Sequence, residues 1–162
     1  MAACSPLPTA VQGVKTEIIS GKSIENLMEG GGYQAYNQLV LDKQYFYATE
    51  EWALNEFYPR YWKFLEQNNL LLYSGQSNDC DNFAAWARLY AQKLHNDSPN
   101  KGKGGIAFGE FMYKRGNGTN HALNFALVKT KDGTKILFFE PQTGAIVYLS
   151  ESERASVITW IL

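Results

Sequence analysis

At Gly105 the apolar period of this chain changes, and that change limits the folds open to it. Upstream, apolar residues recur at helical spacing. Downstream, they fall in short β-branched and aromatic runs separated by turn residues. Ser23 to Glu29 predicts a short helix that ends at Gly30-Gly31-Gly32. Thr49-Glu50-Glu51 is a helix start, with a hydroxyl cap and acids in the first turn. Trp52, Phe57, Tyr61, Phe64 and Leu65 follow near helical spacing and form a packing face. Pro59 interrupts them, which predicts two helices or one kinked helix from Thr49 to Asn68. Asn78 or Asp79 caps a further helix, carried by Phe83, Ala84, Ala87, Leu89, Ala91 and Leu94 to about His95. After Gly105, strands are expected at Ile106–Tyr113, Asn120–Val128, Lys135–Glu140, Ala145–Leu149 and Val157–Leu162. Arg115 to Gly118 and Asp132-Gly133 supply turns, and Ser150 with Glu153 a capping box. The expected class is α+β, with N-terminal helices packed on a C-terminal antiparallel sheet. Residues 1–21, with Pro6 and Pro8, read as an irregular tail, and residues 22–162 as one domain.

Composition removes several functions. The chain has 162 residues, 45% hydrophobic and 19% charged, enough for one core without staples. Net charge is −1 and the basic residues are dispersed, so no nucleic-acid footprint is present. No apolar run reaches the ~18 residues of a membrane span. The triple glycine fits neither GxGxxG nor a Walker loop, and no cofactor is expected. Cys4 and Cys80 make no zinc pattern, and His121, Glu140 and Asp81 lack a fourth ligand, so no metal is expected. Ala2-Ala3-Cys4-Ser5 is similar to the end of a bacterial lipoprotein signal, but no charged or apolar region precedes it. A lipid anchor at Cys4 therefore requires a trimmed signal peptide, which leaves a cytoplasmic and an exported, cell-envelope location both open. Aromatics are rich at 14%. Tyr and Trp fill cores as readily as clefts, and the same residues suit a groove for an extended ligand.

Cys80 stands at the mouth of a predicted helix. First-turn N–H groups and the helix dipole favour an anion there, whereas Asp79 and Asp81 oppose it. A nucleophilic cysteine needs a base, and the base an orienting acceptor. His95 lies ~22 Å away along the same helix and cannot serve. His121 opens a strand whose face continues through Leu123, Phe125 and Leu127, so it equally suits the end of an apolar face. Glu140 ends the next strand, before Pro141, on the face of Ile136 and Phe138. A symmetric loop over Lys129–Asp132 sets Glu140 opposite His121. A tight Asp132-Gly133 turn sets it opposite Phe125, ~13 Å away. Gln142 and Asn124 are alternative orienters, and Gln76 is a candidate oxyanion donor beside the Cys80 N–H.

Three segments in this order resemble the transglutaminase-like branch of the papain-like cysteine hydrolases. They are Cys80-Asp81-Asn82-Phe83-Ala84, His121-Ala122-Leu123-Asn124 and Glu140-Pro141, with Gly105-Ile106-Ala107 between the first two. Glu replaces the usual Asp. The resemblance spans about Gln76 to Tyr148 and implies a papain-like or transglutaminase-like core. It implies a thiol peptidase or amidase, or an acyl transferase, with Cys80 as nucleophile, His121 as base and Glu140 as orienter. The implied partner is a peptide, protein or peptidoglycan-type amide. The alternative is a non-catalytic binding or structural module on the same fold, such as a surface lipoprotein or a virion-associated protein.

Overall fold

The computed structural model describes residues 14–75 and 77–162. The first half is not purely helical. Strand β1 (Val14–Ser20) lies within the stretch read as an irregular tail, and helix α1 (Gly21–Gly30) follows it directly. Ser20 caps α1 by accepting a hydrogen bond from the Ser23 N–H at 3.1 Å. Strands β2 (Asn37–Leu39) and β3 (Gln44–Ala48) come next, and both precede the main helices.

Trp52–Glu56 form a π-helical turn that runs into α2 (Phe57–Gln67). Thr49 caps it as expected, its Oγ1 accepting from the Trp52 N–H at 3.1 Å. Pro59 sits in the first turn of α2, where its missing N–H does little harm. The irregularity falls just ahead of the proline, in the wider π turn. Helix α3 (Cys80–Asn96) begins after N-cap Asp79, whose N–H donates to the Asn82 Oδ1 at 3.2 Å. The Tyr61 hydroxyl donates to the Phe83 carbonyl at 2.7 Å and ties α2 to the start of α3.

The remaining elements are β4 (Gly105–Ile106), β5 (Phe108–Lys114), β6 (Asn120–Thr130), β7 (Gly133–Phe139), β8 (Ile146–Val147), α4 (Glu151–Arg154) and β9 (Val157–Ile161). Among the described residues the strands form one nine-stranded sheet with the path β1-β3-β6-β5-β9-β2; β4 joins β3, and β7 lies between β6 and β8. The sheet is mixed, because β2 runs parallel to β9 and β3 runs parallel to β4 and β6. The expected arrangement, N-terminal helices on a C-terminal antiparallel sheet, is therefore corrected. Strands from both halves build the sheet.

Strand alternation divides the core. Ala126 and Val128 of β6, with Leu137 and Phe139 of β7, face α2 and α3 through Trp52, Phe57, Tyr61, Phe83 and Ala87. Leu123, Phe125 and Leu127, with Phe138, face the other way and pack with Ile24 and Met28 of α1, Phe111 and Trp160. Helices thus cover both faces. Asn124, proposed as an orienter, instead joins layers: its Nδ2 donates to Ala84 O at 2.8 Å and Gly109 O at 3.0 Å. His95 is fully buried against the Phe46 ring, with Nε2 2.9 Å from Gly104 O. Burial pushes its imidazole below the ordinary value, opposed by that bond to Gly104.

One ion pair crosses from α3 to the sheet. Arg88 Nε meets Glu110 Oε1 at 2.5 Å, and the Glu110 side chain is 5% exposed. Arg88→Ala leaves a buried carboxylate without its partner and should cost about 3 kcal/mol. Urea unfolding should show this as a lowered midpoint at unchanged slope, with partial recovery in the Arg88→Ala, Glu110→Gln double variant. An unchanged midpoint in Arg88→Ala would show that the pair contributes nothing net.

Candidate functional site

His121 and Glu140 meet, although the turn is tight. Thr130 pairs with Gly133, and Asn124 with Phe139, so the next step of the ladder sets Glu140 across from Leu123. The two side chains close the remaining diagonal. His121 Nε2 lies 2.8 Å from Glu140 Oε2, with the side chains 6% and 17% exposed. Arg115 stands 3.8 Å from the same oxygen. Tyr113, the cross-strand partner of His121, sets its ring edge-on at 5.9 Å. The second carboxylate oxygen of Glu140 is buried without a hydrogen-bond partner.

Cys80 is half-buried at the first position of α3. Among the described residues no hydrogen bond joins it to His121. The strand period gives a reason. His121 shares its face with Leu123 and Phe125, whereas α3 packs on the face of Asn124 and Ala126. The Asp81 carboxyl beyond Cys80, with burial second, pushes the Asp79 carboxyl up from its ordinary value. Gln76 and Cys4 lie outside the described residues.

Directly beyond Glu140, residues 141–144 turn back over α2. Gly144 N–H and Thr143 N–H both donate to Glu140 O, at 2.7 and 3.2 Å. The Tyr58 hydroxyl donates to Pro141 O at 3.1 Å. Burial, and secondarily the Glu140 charge, push the Tyr58 phenol up, so it stays a protonated donor. Tyr58 and Trp62, one helical turn apart, stack at 6.2 Å between centroids and 30° between planes. With Pro59, Gln142 and Thr143 they line an open cleft of about 540 Å³. Gln142, considered above as an orienter, is a wall of this cleft. Tyr58 and Trp62 went unnoticed in the sequence, since the buried stripe Trp52-Phe57-Tyr61 dominates the same helix. The available signal was their spacing of four residues on its other side.

Comparison with known proteins places this mixed sheet, covered on both faces, in a described family. A family model described as the ricin-type beta-trefoil lectin C-terminal domain matches residues 20–159, and the chain belongs to this family. A solved structure of a PSL1a-E64 complex superposes with a TM-score of 0.66 at 16% identity, over 90% of this chain and 50% of that one. Polyporus squamosus lectin, solved with the human-type influenza-binding epitope Neu5Acα2-6Galβ1-4GlcNAc, superposes with a TM-score of 0.62 at 16% identity, over 90% and 49%. The chain thus spans about half the length of these two neighbours. No curated protein matches it.

These findings correct the family drawn from the sequence. The chain falls in a lectin family, not the transglutaminase-like or papain-like hydrolases, and its fold is that of a sheet-centred lectin domain. The thiol hydrolase or acyl transferase function, and the peptide, protein or peptidoglycan-type partner, fall with that family. The motifs misled because a cysteine at a helix mouth and a His–Glu pair across strands are each compatible with purely architectural roles.

Gly144 fixes the cleft. Its φ is +73°, and a Cβ there would lie 2.5 Å from the Tyr58 ring. Gly144→Ala should lose more than about 1 kcal/mol in urea unfolding. Gly32→Ala, where φ is +83° but nothing lies within 4 Å, should lose less. Equal losses would show that the Tyr58 contact is immaterial.

Proposed function

We propose that the chain is a non-catalytic carbohydrate-binding module of a lectin-type protein. The family match over residues 20–159 carries this reading. It is supported by one structural neighbour, Polyporus squamosus lectin, which was solved bound to a sialylated trisaccharide. It is supported too by the cleft, where aromatic rings stand beside an amide and a hydroxyl. Sugars present these two kinds of surface, apolar C–H faces and a rim of hydroxyls, and binding sites of this kind combine apolar walls with a few placed polar groups.

In this reading Cys80, His121 and Glu140 hold the framework of the module and carry no nucleophilic step. The His121–Glu140 bond holds the end of β7, from which the cleft wall of Gln142 and Thr143 leaves. Cys80 opens the helix that abuts the same sheet.

A glycan array probed with the full chain tests the proposal. Saturable binding to a subset of glycans, displaced by the free sugar, is the expected result, with the glycans recovered chemically unchanged. No glycan binding, together with Cys80-dependent cleavage of a peptide library, would contradict it.

A further inference from the structure

We infer that His95 is an acid-sensitive latch, which holds residues 97–104 against the sheet and releases them when its ring takes up a proton. The chain has two histidines, and this one takes no part in the His121–Glu140 contact. Its side chain lies in the last turn of α3, wholly buried, with its ring 5.3 Å from the Phe46 ring of β3. Nε2 stands 2.9 Å from Gly104 O. A carbonyl only accepts, so in the neutral ring Nε2 carries the hydrogen and Nδ1 is bare. Among the described residues Nδ1 is buried without a hydrogen-bond partner. A bare ring nitrogen is tolerated there at modest cost. A charged ring with a second N–H is not, because no acceptor faces it.

The segment after α3 hangs on this residue. The Ser98 N–H and hydroxyl both donate to His95 O, at 3.0 and 2.6 Å. Bonds within the loop then carry the chain onward: Lys101 N–H donates to Ser98 O at 3.2 Å, and Lys103 N–H to Asn100 O at 3.1 Å. At the far end Gly104 accepts from the His95 ring, and β4 begins directly after it, paired with Tyr45 and Phe46. Gly104 has φ +143°, and a Cβ there would lie 2.6 Å from Gln44 O. The imidazole therefore closes the loop at the point where it runs closest to β3.

The charges around the ring do not replace the missing acceptor. From α3, Lys93 pairs with Asp97 at 2.6 Å, and both are exposed. Lys101 and Lys103 of the loop are exposed too. β3 and β4 bring no charged residue. Asp42, just before β3, favours the charged ring, but less than burial opposes it. Opening of the loop frees Nε2 from Gly104 O and lets the ring turn out to water. The open state takes the proton more readily, so opening grows as pH falls below the ordinary imidazole value of 6.5, and the latch is complete above it.

The test is amide hydrogen exchange of the full chain at pH 7.5 and 5.5, corrected for the intrinsic pH dependence of exchange. Imidazole carbon–proton NMR spectra follow the two histidines separately. The opening equilibrium at Ser98, Lys101 and Lys103 should rise about threefold to tenfold at pH 5.5, while β5 and β6 keep their protection. His95→Gln offers Gly104 O an amide donor that does not titrate, so its opening should be equal at the two pH values. Equal opening at both pH values in wild type overturns the latch, as does a pH response that survives in His95→Gln. If His95→Gln does not fold, the wild-type spectra decide. The His95 signal should titrate together with the exchange of residues 98–103, and titration of His95 while these amides stay protected overturns the proposal.

Discussion

Strand β6 is hydrogen-bonded on both sides and buried from His121 to Val128, and the positions of the other elements depend on it. A strand buried on both faces cannot slip by one residue. A slip would exchange Leu123, Phe125 and Leu127 with Ala122, Asn124 and Ala126, and large side chains would meet the close-packed side of α3. Small residues on that side let the helix approach. Asn124 then fixes it in place by reaching the Ala84 carbonyl. β5 lies along one edge of β6, and just beyond the start of β5, where Phe108 pairs with Ala126, β3 takes over at Val128.

That register also decides what happens at the end of the sheet. With Thr130 opposite Gly133, β7 ends at Phe139 opposite Asn124, and Glu140, across from Leu123, closes the remaining two residues to His121 with its own length. An aspartate at that position would be one methylene shorter. The bond ends β7 at a fixed point. From there, hydrogen bonds back to Glu140 O turn the chain over Tyr58. The aromatic cleft is a consequence of where the sheet stops.

Much of the secondary structure was legible in the sequence. The Ala-rich pattern from Phe83 to Leu94 gave α3, and Ser150 with Glu153 gave the cap of α4. β2 and β3 were not legible. Asn37-Gln38-Leu39 is too short and polar to signal a strand, and Tyr45 to Ala48 are all buried, so no alternation marks them. Their parallel pairing with strands more than 50 residues away is a tertiary fact that local patterns do not encode. Two registers were open for His121 and Glu140, one directly opposed and one without contact; the ladder takes neither, and the two side chains meet on a diagonal. Cys80 shows the limit most plainly. The residue types around it suit nucleophilic chemistry, yet the face of β6 that carries His121 is set by the whole sheet.

The central claim, proposed above, is that this chain binds carbohydrate. Saturation-transfer difference NMR tests this directly, with the full chain, N-acetyllactosamine and a short unstructured peptide in one tube. Transfer to the sugar, strongest at the C–H protons of one ring face, is the predicted result. Transfer to the peptide alone would contradict it.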